Sequence, residues 1–523
     1  MGVPLPKSPA LRTALVLAGI FALSMAFRAP FLGRPLGAYY ETTTSTVLTT
    51  QRIWHEGRII ADRFLPVMSY PLRTDKNINN WASVHNAQGD YYYTSYPSLS
   101  YVAPYLLMRA LQLAPSPPAL RWFNVLCQFF TAVFVFLTVR RLTAHGNDAG
   151  PRAPAYVAFI FLVFAPCALW FQSISYMADM FVQLPFAAGV YVFLRGVQAP
   201  RVSPRLALVL GLVTYCMVMS EWIGVLFAAA VAGYVVFSHS RRRLLPLLVS
   251  AVGGASLALV TVAVHYSSIA GLSAWLRALA TKAAVRSGET DKLYSPLDPM
   301  TYLRIARNYA FGYTWELIVL AALVVLFVSL RRSRQRQPAP AVASFDRIGV
   351  LAVLVVAGIP ILIHHALLSA WSAEHDFSVL KTSILIAILA GVLWAQLSVL
   401  WRDRPAWRRI AVLAVTLMVV ASAAQFVIMA KLSTTSMYRD VGQSIASTSR
   451  PDEVVFVEGS VRAAWPQIVY YAGRNLATYT TPGEAVALMQ QSGAARGVVF
   501  RIDGDPLRVL SVQRISLRDP ASN

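Results

Sequence analysis

Cysteine is scarce. Three thiols, Cys127, Cys167 and Cys216, occur in 523 residues, each inside an apolar stretch. That number and placement exclude a disulfide framework and the paired spacing of a structural zinc site, and leave small buried thiols. Charge is scarce as well: 13% of residues are Asp, Glu, Lys or Arg against 56% hydrophobic. Such a balance excludes an ordinary water-soluble domain and indicates a polytopic membrane protein. Acids are the rarer sign, 24 against 46 Lys and Arg, for a formal net charge of +22. A nucleic-acid partner is excluded by where the excess lies. The basic residues sit in short clusters between apolar runs, which is the pattern of cytoplasmic loops. No internal repeat is evident.

The clusters are Lys7 and Arg12; Arg140, Arg141 and Arg152; Arg195, Arg201 and Arg205; Arg241 to Arg243; Arg331, Arg332, Arg334, Arg336 and Arg347; and Arg402, Arg404, Arg408 and Arg409. If all face the cytoplasm, an even number of crossings separates successive clusters. The N-terminal apolar run then reads as an uncleaved first helix, and ALRWFNVLCQFFTAVFVFLTVRRL as the second crossing, which returns to Arg140 and Arg141. Residues 154–194 and 206–237 each form a pair of helices, turning outward near Asp179 and Glu221. Single crossings at 244–266, 313–330, 348–368, 382–401 and 410–430 complete about eleven, with the N-terminus inside and the C-terminus outside. Residues 1–430 are the membrane domain. Its large outer loops are about 28–118 and 267–312, and in the first of them PSLSYVAPYLLMRALQLAP reads as a helix lying in the membrane interface. Residues 431–523 are polar enough to fold in water. VVFVEG, LATYTT, GVVFRI and VLSVQRIS read as strands, and PGEAVALMQQS as a helix opened by Pro482. The fold class expected is therefore a polytopic α-helical membrane protein with a small extracytoplasmic α/β domain.

The stretch YYETTTSTVLTTQRIWHEG places Glu41 just beyond the first helix. A carboxylate there either caps a helix, which the helix dipole favours, or does chemistry at the membrane face. Other elements follow in order: Pro97-Ser98-Leu99, then Leu120-Arg121 opening a helix, then the outward acid Asp179, then His375-Asp376-Phe377. In that order they resemble the GT-C superfamily of membrane glycosyltransferases, which includes protein O-mannosyltransferases and lipid A aminoarabinose transferases. The similarity covers about the first 430 residues. Members often carry Asp-Glu where this chain has Tyr40-Glu41, and Pro-Pro-Leu where it has Pro97-Ser98-Leu99, so a metal-assisted variant with adjacent carboxylates is not implied.

The resemblance implies a polyprenyl-phosphate sugar as donor, a lipid, glycan or protein acceptor, and an active site on the outer face of a plasma membrane. Chemistry fits it independently. A sugar leaving from lipid phosphate needs no acid, because the phosphate departs as a stable anion; it needs nearby positive charge, and the acceptor hydroxyl needs a base. Glu41 is the expected base, with Asp179 and Glu221 as alternatives and Asp179 also able to orient the sugar. The expected phosphate and sugar contacts are Lys282, Arg286, Lys292, Arg304 and Arg307 in the second outer loop. Arg304 and Arg307 are three residues apart and face one phosphate from one helix. A second group is His364, His365, His375, Asp376 and Lys381. No protein-bound metal is assigned, and a divalent ion stays open. Two rivals from other classes are a transporter or flippase of lipid-linked sugars and an inactive scaffold. The acids at helix ends and the lack of repeats weigh against transport.

Overall fold

A computed structural model describes residues 8–79, 84–144, 152–289, 295–334 and 346–517. Among these, eight helices are long and apolar enough to cross a bilayer: Pro9–Leu32, Pro117–Leu142, Ala178–Gln198, Arg241–Ala270, Pro299–Ser333, Arg347–Leu367, Asp376–Leu400 and Pro405–Thr448. Three shorter apolar helices, Arg152–Phe164, Pro204–Val218 and Ile223–Phe237, fall between them. Each lies in an apolar run bounded by the arginine clusters. Proline explains one of the short lengths. Pro166 supplies no N–H to continue the helix that ends at Phe164, and a second short helix, Pro166–Phe171, starts at that proline. Helix Ala178–Gln198 is the innermost, with 83% of its apolar window buried, whereas Pro9–Leu32 has 22%. The outer helices turn Leu208, Val249, Leu257, Val325 and Leu362 outward, the apolar rows that lipid covers.

The first loop is built of helix Glu41–Ile53, a short antiparallel pair Val84–His85 with Tyr91–Tyr92, and helix Leu99–Ala110. The last has 12 residues and is about 18 Å long, too short to span and consistent with a helix at the interface. In the second loop, Gly271 adopts φ 85° between Arg241–Ala270 and Leu272–Ser287. A side chain is strained in that conformation, so glycine permits the sharp reversal that carries the second helix back over the first loop.

The tail is a four-stranded sheet. Strand Glu453–Gly459 pairs in parallel with Ala477–Thr478 and Arg496–Asp503, and the latter pairs antiparallel with Arg508–Ser516. All four strands and the helix Pro482–Ser492 match the sequence expectation. Helices Met437–Thr448 and Pro466–Ala472 were not expected. Helix Pro466–Ala472 packs on Glu41–Ile53, with Gln467 Nε2 donating to Gly37 O and Arg52 donating to Tyr470 O, both at 2.9 Å. A polar seam completes the docking. Arg474 Nε donates to both oxygens of Asp75 at 3.0 and 3.1 Å, and Asn475 Nδ2 donates to Asp75 O at 2.8 Å. The tail and the first loop therefore share one face of the helical bundle.

Candidate active site

A cavity of about 400 Å³ opens where the first loop, the second loop and the tail meet. Helix Glu41–Ile53 contributes Thr42, Thr43 and Thr46; helix Leu272–Ser287 contributes Thr281, Lys282 and Arg286; Tyr96, Trp371, His375 and Pro466 close the rest. Lys282 and Arg286 are four residues apart, so one face of one helix presents both. Aromatic rings hold them. Lys282 Nζ lies 5.5 Å from the Tyr93 ring centre, and the Arg286 guanidinium lies 5.0 Å from Tyr96 and 4.4 Å from Trp371, each within cation–π range. Burial, and then the Arg286 charge, pull the Lys282 ammonium down to about 8. The His375 ring stacks on Trp371 at 3.6 Å, and burial pulls its pKa down to about 4. It is therefore neutral at pH 7, and its Nδ1–H donates to Trp371 O at 3.1 Å. Two cavities of larger volume, about 880 Å³ around Tyr234 and Asp346 and about 530 Å³ around Arg73 and Arg496, lack this combination of two cations beside a buried acid.

The buried acid lies below Tyr96. Its hydroxyl donates to Asp179 Oδ2 at 2.9 Å, and the Lys381 ammonium donates to Asp179 Oδ1. Lys381 Nζ is also 4.0 Å from Glu221 Oε1 and 3.4 Å from His364 Nε2, which is itself 3.7 Å from Glu221. All four side chains are buried. Helix ends bring them together: Asp179 opens a helix, Glu221 joins two short ones and accepts from Ile223 N at 2.9 Å, and His364 and Lys381 lie near facing ends of two late helices.

Glu41 sits at the helix start, as the sequence suggests, but its carboxylate points away from the cavity. One oxygen accepts from Arg34 and the other from Arg121 Nη2 at 2.6 Å. Arg121 also donates to Leu32 O at 2.9 Å and Ile174 O at 3.1 Å. This buried knot ties the end of the first helix to the start of the second and to the turn before Asp179. Both arginines were within reach of sequence reasoning, Arg121 through its Leu-Arg motif; what the sequence lacks is any sign that they meet Glu41.

The remaining candidates divide. His365 is held by Tyr309 Oη at 2.8 Å and Ser372 Oγ at 2.9 Å, an internal packing role. Asp376 accepts from the Tyr39 hydroxyl, beside the cavity and not in its wall. Arg304 and Arg307 do not line the cavity: Arg304 is half-buried and Arg307 exposed on helix Pro299–Ser333, with Arg307 on the Tyr39 side. Their i, i+3 spacing is real, but their helix turns that face elsewhere. Lys292 lies outside the described residues. Sequence reasoning missed Tyr96 and the three threonines, because the tyrosine-rich run reads equally as interface aromatics.

No family model and no curated protein matches the sequence. Solved structures do. ArnT from Cupriavidus metallidurans bound to undecaprenyl phosphate is 11% identical with a TM-score of 0.56, covering 93% of both chains. The oligosaccharyltransferase AglB from Archaeoglobus fulgidus, with an inhibitory peptide and a dolichol-phosphate, is 12% identical with a TM-score of 0.54, covering 93% of this chain and 69% of that one. The chain has the GT-C fold. At these identities the likeness establishes architecture, and the chemistry must come from the site. The Archaeoglobus fulgidus oligosaccharyltransferase complex with zinc and sulfate is similar in fold as well, 12% identical with a TM-score of 0.51. It raises the question of which residues here are able to hold a metal. Among the described residues one group has the donors: Asp179, Glu221 and His364, with ligand atoms within 4.8 Å of one another. Lys381 already stands among them.

Proposed function

We propose that this chain is an integral-membrane glycosyltransferase that moves a hexose or pentose, with inversion, from a polyprenyl-phosphate donor to an acceptor hydroxyl on the outer face of a plasma membrane. One observation carries the reading: Lys282 and Arg286 face a cavity whose wall, Tyr96, is hydrogen-bonded to buried Asp179. The GT-C relatives support the donor class, since ArnT holds undecaprenyl phosphate and AglB a dolichol-phosphate. In this reading the three shorter apolar helices, the first continued by Pro166–Phe171, cross along with the eight long ones, with the arginine clusters inside and the first loop and tail outside.

In this reading the donor phosphate lies against Lys282 and Arg286, which offset its charge as the anomeric C–O bond breaks. The acceptor hydroxyl attacks from the opposite face. Its proton passes to Asp179 through the Tyr96 hydroxyl, and the polyprenyl phosphate leaves as an anion with no acid needed. Glu41, the first candidate for base, is better suited to anchoring, because Arg34 and Arg121 hold its oxygens and neither lines the cavity, whereas Asp179 is bonded to the cavity-wall hydroxyl of Tyr96.

The test is release of polyprenyl phosphate from a polyprenyl-phosphate sugar by purified protein. Asp179→Asn should lower turnover by about 10²–10⁴-fold with donor binding kept, while Glu41→Gln, if folded, should retain more activity. Loss in Glu41→Gln at normal stability, with Asp179→Asn active, would return the base to Glu41. Movement of intact donor across vesicles without bond cleavage would favour transport instead.

A further inference from the structure

The buried cluster behind the cavity has the donor set of a divalent-metal site and a lysine inside it. Asp179, Glu221 and His364 offer three ligand atoms within 4.8 Å of one another, the mixed carboxylate and imidazole set that zinc or manganese accepts. Lys381 Nζ donates to the first, lies 4.0 Å from the second and 3.4 Å from the third. Every group is buried, so none of these contacts is a surface accident. We infer that the Lys381 ammonium is the resident cation of this site, that the chain therefore takes no divalent ion there, and that removing the ammonium converts the cluster into a divalent-cation site.

Two physical facts support this. The first is charge. Two carboxylates, Asp179 and Glu221, are matched by two cations, Lys381 within the cluster and Arg286 near both acids at the cavity wall. A dication added to that neutral set leaves two surplus positive charges in a buried space, which burial penalises steeply. The second is size. An ammonium reaches its acceptors at about 2.9 Å, whereas zinc draws oxygen and nitrogen ligands in to about 2.1 Å. The spread of the three atoms suits the larger ion, yet modest side-chain movement would close it around the smaller one. The Nδ1 of His364 has no hydrogen-bond partner among the described residues, so nothing in them holds the ring against retilting toward a metal.

The experiment reads binding rather than catalysis, so it stands or falls separately from glycosyl transfer. Chelator-stripped full-length protein in detergent is incubated with Zn²⁺ or Mn²⁺ and desalted, and retained metal is counted by mass spectrometry, with Mn²⁺ also followed by electron paramagnetic resonance. Wild type should retain well under one equivalent. Lys381→Ala should retain about one, lost again in Lys381→Ala/His364→Ala. A wild-type protein that keeps one equivalent, removed by His364→Ala, would overturn the inference. So would a folded Lys381→Ala protein that keeps none. If Lys381→Ala does not fold, the wild-type arm decides: no retained ion supports the resident lysine, and one His364-dependent ion refutes it.

Discussion

Replacing Arg474 with methionine tests how the tail is held over the cavity. The guanidinium makes two bonds to Asp75, and donates to Arg450 O at 2.9 Å, Thr74 Oγ1 at 3.0 Å and Glu453 O at 2.7 Å. Methionine keeps much of the volume and none of the donors. It leaves Asp75, fully buried, without a counter-ion, and breaking one side of a buried pair costs about 3–5 kcal/mol. At about 1.4 kcal/mol per decade that is roughly a hundredfold or more in the docking equilibrium. The effect must also depend on pH. Burial pushes Asp75 up to about 6 even with Arg474 pulling it down. A carboxyl raised on folding contributes stability below its unfolded value, and that contribution is lost as pH rises through the folded value. Without Arg474 the folded value climbs further, so the gap between variant and wild type should be wider at pH 8 than at pH 5.5. Hydrogen exchange over residues 437–517 and the detergent Tm at both pH values measure this. Because Pro466 of the tail lines the cavity, acceptor KM should rise with undocking. Asp75→Asn/Arg474→Met should recover part of the loss, since no buried charge remains. Unchanged protection in Arg474→Met, or a gap wider at pH 5.5, would refute the reasoning.

Donor affinity should fall as pH rises through about 8, where Lys282 gives up its proton, and Lys282→Arg should flatten that slope; affinity constant from pH 6.5 to 9.5 would remove Lys282 from the phosphate site. Arg286→Ala should weaken donor binding about tenfold or more, as loss of a charge-assisted contact does, whereas Arg304→Ala and Arg307→Ala should leave it nearly unchanged; the reverse order in a binding titration would restore the Arg304 and Arg307 assignment.

Much of the fold was legible because a bilayer imposes one-dimensional rules. Apolar length marks helices and arginine marks the loops between them, so the eight long apolar helices fall in the runs that the clusters bound. The tail strands were legible through alternation and Pro482 through its position at a helix start. What escaped were features set by packing between distant segments. Pro466–Ala472 has a proline start and a glycine end but only seven residues, and it and Met437–Thr448 owe their place to the first loop and sheet they cover. The site divided the same way. Lys282, Arg286, Asp179, Glu221, His364 and Lys381 all stood out as ionisable groups at outer helix ends. Which acid would meet which cation was not written locally: Glu41 pairs with Arg121, 80 positions away, and Asp179 with Lys381, 202 away.

Those pairings explain why Glu41 drew attention and why Asp179 fits the chemistry better. An acid beside a helix start is conspicuous in a sequence because so few acids are present, but conspicuousness measures rarity and not access. The charges around the cavity give a sharper criterion. Lys381 and Arg286 balance Asp179 and Glu221, His375 is neutral, and Glu374 at the lip has 56% of its side chain in solvent, where water screens it. Among the described residues Lys282 is left over, a positive charge with no acidic partner, on the cavity wall. The proposed phosphodiester donor carries one negative charge and would complete that balance; its arrival would also restore full protonation to an ammonium that burial weakens. In the proposed reaction a second negative charge grows on the phosphate as the sugar departs, while the acceptor's proton moves toward Asp179, on the other side of Tyr96. Charge thus develops at the two places where the cavity is already polarised, cation above and carboxylate below, which is where preorganised groups act on a transition state.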